Sequence, residues 1–137
     1  YTGKLDNFFQ NCLGPLGYRS LNIKIQESSR QTCFQMNECN KDKSYTRTID
    51  YSFLNNELLE NGNTIISREY PCEHNEHNTA FYPTNFKFDK HILKGYTDFA
   101  KAQKNILFLG RLATYKYLDM DAAIGQALCR LKPYCNG

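Results

Sequence analysis

Three arginines stand on strand-like stretches among apolar neighbours. Arg19 alternates with Leu21, Ile23 and Ile25, Arg47 with Tyr45, Ile49, Tyr51 and Phe53, and Arg68 with Ile66 and Tyr70. A guanidinium on an apolar face loses hydration unless an anion meets it. Its planar fork of donors suits phosphate, and nearby tyrosines add hydroxyl donors, so a phosphate or diphosphate site on a sheet face is one reading. The alternative is that each arginine snorkels to water or pairs with an acid such as Glu69 or Asp50. A second concentration of polar and aromatic residues runs from Leu109 to Met120 and includes Gly110, Arg111, Tyr115, Tyr117 and Asp119. Loops that leave a buried strand and enter a helix N-terminus bind ligands in α/β proteins. Equally, Asp119 can cap its helix and the two tyrosines can pack.

Other chemistry is weakly signalled. Cys72, His74 and His77 lie within six residues, but a structural zinc site needs four ligands at defined spacing and nothing completes this set, so no metal is expected. No G-x-G-x-x-G and no G-x-x-x-x-G-K-[ST] occurs, so the chain carries no standard dinucleotide or P-loop turn of its own.

Several elements must position these residues. Leu5, Phe8, Phe9, Cys12 and Leu13 recur at helical spacing before the Gly14-Pro15 breaker. Period-two alternation predicts strands over 18–26, 32–37, 45–53 and 64–70, close enough in sequence for an antiparallel sheet. The proline of Phe81-Tyr82-Pro83 argues against an interior strand. Asp89 can cap a helix carrying Ile92, Leu93, Tyr96, Phe99 and Ala100. Ile106–Leu109 reads as a strand buried on both faces. A last helix from Asp119 is expected to bury Met120, Ile124, Leu128 and Leu131 and to stop at Pro133.

At 137 residues the chain has the size of one compact domain. A net charge of +3 is far below that of a dedicated nucleic-acid binder. No apolar run is long enough for a spanning helix, and the start YTGKLDNFF has no signal-peptide pattern, so no membrane partner is expected. The six cysteines contain no C-x-x-C, which favours reduced thiols and a cytoplasmic location. The opening tyrosine suggests a piece of something longer.

At these same residues the chain resembles the UDP-galactopyranose mutase family. YTGKLDNFF and LGPLGYRSL resemble the family's Y-T-G-x-[IL]-D-x-[FY]-F and L-x-Y-R-[ST]-L. YTRTIDY resembles [YF]-T-R-[IV]-x-E-x, IISREYP resembles T-V-I-x-R-E-[YF], and FYPTN resembles [YF]-Y-P-[VI]-N. NILFLGRLATYKYLDM resembles N-V-x-F-G-G-R-L-[GA]-x-Y-x-Y-x-D-M, with Leu109 where a glycine is usual. The motifs cover only the last part of a complete enzyme. The resemblance implies an α+β fold: an antiparallel substrate-domain sheet over 1–88, and over 89–137 the closing helix, strand and helix of a Rossmann-like FAD domain. It implies interconversion of UDP-galactopyranose and UDP-galactofuranose through a covalent adduct with reduced FAD, with the flavin as nucleophile and no catalytic side chain here. Arg47 would bind the substrate diphosphate with Tyr82 and Tyr117, and Arg19 would support that pocket. Arg111 and Asp119 would lie near sugar and flavin, and Gly110 and Met120 against the cofactor. The implied partners are UDP-galactose and a missing N-terminal FAD-binding portion, with a homodimer left open. Two alternatives remain, a non-catalytic nucleotide-sugar or phosphate-binding module and a structural interaction domain.

Overall fold

The computed structural model describes residues 1–84 and 89–135. The side chain of Asp89, and with it the expected helix cap, lies outside the described residues. The elements are α1 (Leu5–Phe8), β1 (Tyr18–Ser28), β2 (Gln35–Asn37), β3 (Arg47–Asp50), α2 (Ser52–Asn55), β4 (Thr64–Glu73), β5 (Ala80–Pro83), α3 (Asp89–Ala102), α4 (Gly110–Ala113) and α5 (Met120–Cys135). Antiparallel strand pairs beside helices make the class α+β. Residues 21–73 form one compact unit, and 1–20 with 74–137 form another.

In the unit 21–73 the strand order is β2, β3, β4, β1. β2 and β4 flank β3 antiparallel, with Asn37 opposite Arg47, Arg47 opposite Glu69, Met36 opposite Thr48, and Thr48 opposite Arg68. Successive side chains on a strand point to opposite faces, so Asn37, Arg47 and Glu69 share one face and Met36, Thr48 and Arg68 the other. The alternating pattern predicts longer strands than β2 and β3, whereas β1 and β4 run past their expected ends. It fails past Asp50 because that carboxylate, fully buried, organises the chain locally. It accepts the Gln31 N–H at 2.8 Å, the Ser52 N–H at 3.0 Å, the Ser52 hydroxyl at 2.8 Å and the Thr64 hydroxyl at 2.7 Å. The bond to the amide two residues on makes an Asx turn, which ends β3 and starts α2 where a strand through Phe53 is expected. Burial alone would raise the Asp50 pKa, but the four donors outweigh it and hold the carboxyl at about 2.

In the other unit, Leu5, Leu16, Tyr18, Ala80, Tyr96 and Tyr115 form the buried core, with Phe9, Ile92, Leu93, Phe108 and Leu112 packed against it. Two polar anchors hold the first twenty residues there. Asp6, nearly inaccessible, accepts the Leu16 N–H at 2.9 Å and the Tyr18 hydroxyl at 3.1 Å. Burial, reinforced by the Asp6 charge, pushes the Tyr18 phenol far above its ordinary pKa and keeps it a neutral donor. The Tyr96 hydroxyl donates to the Gly14 carbonyl at 2.8 Å and accepts the Leu13 N–H at 3.0 Å. Gln10 and Asn11, both at φ +54°, end α1 before the apolar spacing does. β5 pairs with the start of β1, Tyr18 opposite Pro83 and Arg19 opposite Tyr82, with a bulge after Arg19.

Two expectations fail in this unit. Residues 106–109 are extended and half-buried, not a doubly buried strand. A strand needs ladder partners on its edges. Tyr1 supplies two bonds, donating its amino group to the Leu107 carbonyl at 2.8 Å and accepting the Leu109 N–H at 3.0 Å, and these bonds make no assigned strand. Helix α5 runs through Pro133 to Cys135 instead of stopping there. Its apolar stripe is exposed: Met120 is 81% accessible, Leu128 62%, Ile124 59% and Leu131 40%. The spacing marks the stripe correctly as a face for burial, but nothing among the described residues covers it.

Candidate functional site

A short helix and a turn build the candidate site within the unit containing 1–20 and 74–137. Gly110 opens α4 at φ +79°, a conformation that favours glycine, and its N–H is accepted by the Gln126 side-chain carbonyl at 2.7 Å, which ties α4 to α5. After α4 the chain reverses at Tyr115, a non-glycine residue at φ +48°. That conformation carries strain, which its surroundings must hold in place. The Tyr115 ring is buried against Tyr18, and its hydroxyl donates to the Gly17 carbonyl at 2.7 Å. The reversal delivers 116–119 back across α4, where Arg111 donates to the Leu118 carbonyl at 2.5 Å.

The Arg111 guanidinium lies 5.0 Å from the Tyr82 ring centroid and 5.6 Å from that of Tyr117. The two rings stack with centroids 5.5 Å apart and planes 17° from parallel. Tyr117 is 63% exposed, although aromatic side chains are favoured in cores. Neither phenol hydroxyl has a hydrogen-bond partner among the described residues. Arg19 stands opposite Tyr82 in the β1–β5 register. The group therefore offers a cation held against a stacked aromatic pair, with two hydroxyls unpartnered among the described residues, a combination suited to an anionic ligand with a planar part. Asp119 and Met120 stand beside it at the entry to α5, both exposed. Asp119 accepts the Ala123 N–H through its backbone carbonyl, at 2.9 Å, and does not cap the helix through its carboxylate among the described bonds.

Residue placement differs from the sequence expectation in two respects. The three arginines do not share one sheet face, because Thr48, adjacent to Arg47, is the register partner of Arg68. Arg47 is also already engaged: it forms an ion pair with Glu69 at 3.6 Å and donates through Nε to Asn37 at 3.3 Å. For Arg47 this is the alternative of pairing with an acid such as Glu69 or Asp50. Asn37, which the spacing does not single out, emerges only from the β2–β3 register. The Cys72–His77 segment assembles no metal cluster among the described residues. His74 instead meets Lys4 Nζ at 3.0 Å and the Asn78 side-chain carbonyl at 2.9 Å. No described helix is long and apolar enough to cross a membrane.

Comparison with known proteins connects this geometry to a family. The family model for UDP-galactopyranose mutase matches residues 1–117. A protein named as a probable UDP-galactopyranose mutase from Klebsiella pneumoniae is 35% identical over 93% of this chain and 34% of its own length. The UDP-galactopyranose mutase of Mycoplasma pneumoniae is 35% identical over 95% of the chain and 34% of its own. A dTDP-fucopyranose mutase from Escherichia coli is 30% identical over 93% and 34%. The chain thus spans about a third of the length of these curated relatives. With the match running from Tyr1 through Tyr117, and so through Arg111 and both ring tyrosines, the chain belongs to the UDP-galactopyranose mutase family.

Proposed function

We propose that this chain acts as the C-terminal, substrate-binding portion of a mutase that interconverts UDP-galactopyranose and UDP-galactofuranose. The observation that carries the reading is the Arg111 guanidinium held against the stacked Tyr82 and Tyr117, with neither phenol hydroxyl partnered among the described residues. In this reading the hydroxyls donate to the substrate diphosphate, Arg111 and Asp119 stand beside the sugar, and Arg19 supports the site from the strand opposite Tyr82. Arg47 is proposed as a further diphosphate ligand from its own unit, exchanging its Glu69 pair for the stronger charge of a diphosphate. Preorganised donors lower the barrier by holding the diphosphate in line for departure and by meeting the charge that develops on it.

The family implies FAD. The left-handed Gly110, the N-terminus of the sixteen-residue α5, and exposed Met120 and Asp119 fit one wall of a flavin site. The chain has no glycine-rich turn for the pyrophosphate. Reduced FAD, when bound, supplies the nucleophile that attacks the sugar. What the chain's own residues do is bind and orient the nucleotide sugar. The exposed stripe of α5 is proposed to pack against the rest of a Rossmann-like FAD domain, which the longer relatives have length to supply.

Calorimetric titration with UDP tests the reading. Saturable binding is expected, weakened about tenfold by Tyr82→Phe or Tyr117→Phe, the loss of one charge-assisted hydrogen bond. UDP binding that neither substitution alters overturns the assignment of this site. A parallel titration with dTDP compares the two nucleotides named in the relatives.

A further inference from the structure

The sheet face opposite Arg47 holds a cavity of about 340 Å³ within the unit 21–73. Gln31, Met36, Tyr45, Thr48, Ile66 and Arg68 line it. Two of these lining residues carry buried donors with no acceptor among the described residues, Arg68 Nε and Gln31 Nε2. Buried donors are ordinarily satisfied, so two orphans on one cavity wall need an explanation.

Neither group is free to turn away. The Arg68 guanidinium lies 5.1 Å from the Tyr45 ring centroid, a cation–π contact that holds it in place. The Gln31 amide is anchored at two points: its Oε1 accepts the Thr48 hydroxyl at 2.5 Å, and its backbone N–H is bound by Asp50. Among the described residues the Arg68 side chain has no ion pair and no hydrogen bond. Glu38, the acid on the cavity wall, is occupied by the Asn40 N–H at 2.9 Å and the Tyr45 hydroxyl at 3.4 Å. Ile66, only 3% exposed, is part of the lining, and an anion beside it meets the guanidinium at a lower effective dielectric than in water.

We propose that this cavity is an oxyanion site that takes a phosphate group, either free or as a monoester. Arg68 supplies Nε–H and the adjoining Nη–H as a side-on fork, and Gln31 supplies a third donor from a different segment. Donors from two separate segments suit a tetrahedral anion, whereas a planar carboxylate is satisfied by the fork alone. The proposal is independent of the mutase reading, whose ligands lie elsewhere.

Calorimetry and thermal melts of the full chain with inorganic phosphate test it. Saturable binding and a phosphate-dependent rise in Tm are expected. Arg68→Met weakens binding by about tenfold or more, the scale of a lost bidentate charge-assisted contact. Gln31→Glu places a carboxylate beside Arg68, abolishes phosphate binding and raises Tm without phosphate. Glycerol 3-phosphate binding more tightly than phosphate identifies an esterified ligand, and equal binding identifies the free anion. The site is overturned if the parent chain shows no saturable phosphate binding, or if folded Arg68→Met binds like the parent. Should Arg68→Met fail to fold, phosphate binding retained by folded Gln31→Glu overturns it.

Discussion

Replacing Asp50 by asparagine tests the polar centre that holds the Gln31 segment against the sheet. The carboxyl falls from an ordinary 3.8 to about 2 on folding, so its ionised form favours the fold by about 2 kcal/mol at neutral pH. Asparagine keeps the shape but replaces one oxygen with an NH2 group. In its better orientation the amide oxygen keeps the Ser52 and Thr64 donors, and the NH2 then faces the Gln31 N–H, donor against donor. An unsatisfied buried amide adds about 1–3 kcal/mol, giving an expected loss of about 3–5 kcal/mol at pH 7. The pH dependence has a definite sign. Because the folded pKa is depressed, the wild-type contribution is complete above the unfolded value near 3.8 and is lost as pH falls through about 2. The stability gap between wild type and Asp50→Asn should therefore be constant above pH 4 and narrow below it, and the difference cancels the other carboxyls, which titrate in both proteins. Urea denaturation followed by far-UV circular dichroism measures it, since the chain has no tryptophan. A gap under about 1 kcal/mol at pH 7, or one that widens in acid, refutes the reasoning.

Three further outcomes follow from the same structure. Gly110→Ala meets no steric obstacle, its nearest new neighbour being Thr2 Cβ at 4.0 Å, so only the φ of +79° opposes it and a loss of about 1–2 kcal/mol is expected in a denaturant melt. Met120→Gln with Ile124→Gln and Leu128→Gln removes an exposed stripe and should leave the stability of residues 1–137 within about 0.5 kcal/mol while reducing binding of a hydrophobic dye; a loss above about 2 kcal/mol would show that the stripe is packed. Residues 1–137 titrated with FAD should show no saturable micromolar binding by flavin fluorescence, because one wall of a site does not offset the cost of ordering the cofactor.

Local patterning was legible wherever a short-range cause acts alone. The four strand cores, helix α3, the start of α5 and the edge character of the Pro83 strand all follow from alternation, helical spacing and proline chemistry. Motif resemblance located Arg111, Tyr82 and Tyr117, which α4 and the 114–119 turn bring together. Other features depended on tertiary contacts. The 45–53 alternation continues past Asp50, and only the donors from Gln31, Ser52 and Thr64 turn the chain there. Spacing places Arg47 and Arg68 each on an apolar face of its own strand, but the β3–β4 register decides that these are opposite faces of the sheet. Asn37 and the unsatisfied pair Arg68 and Gln31 become visible through the same register and the same packing. For α5 and 106–109 the composition correctly marks surface for burial, yet burial itself needs a partner, and an apolar stripe carries no record of whether its partner is present. A chain therefore encodes which of its faces avoid water and where its backbone turns, because those depend on neighbours a few residues away. Which face meets which, and which donors go unsatisfied, depends on residues distant in sequence and is decided only by the assembled structure.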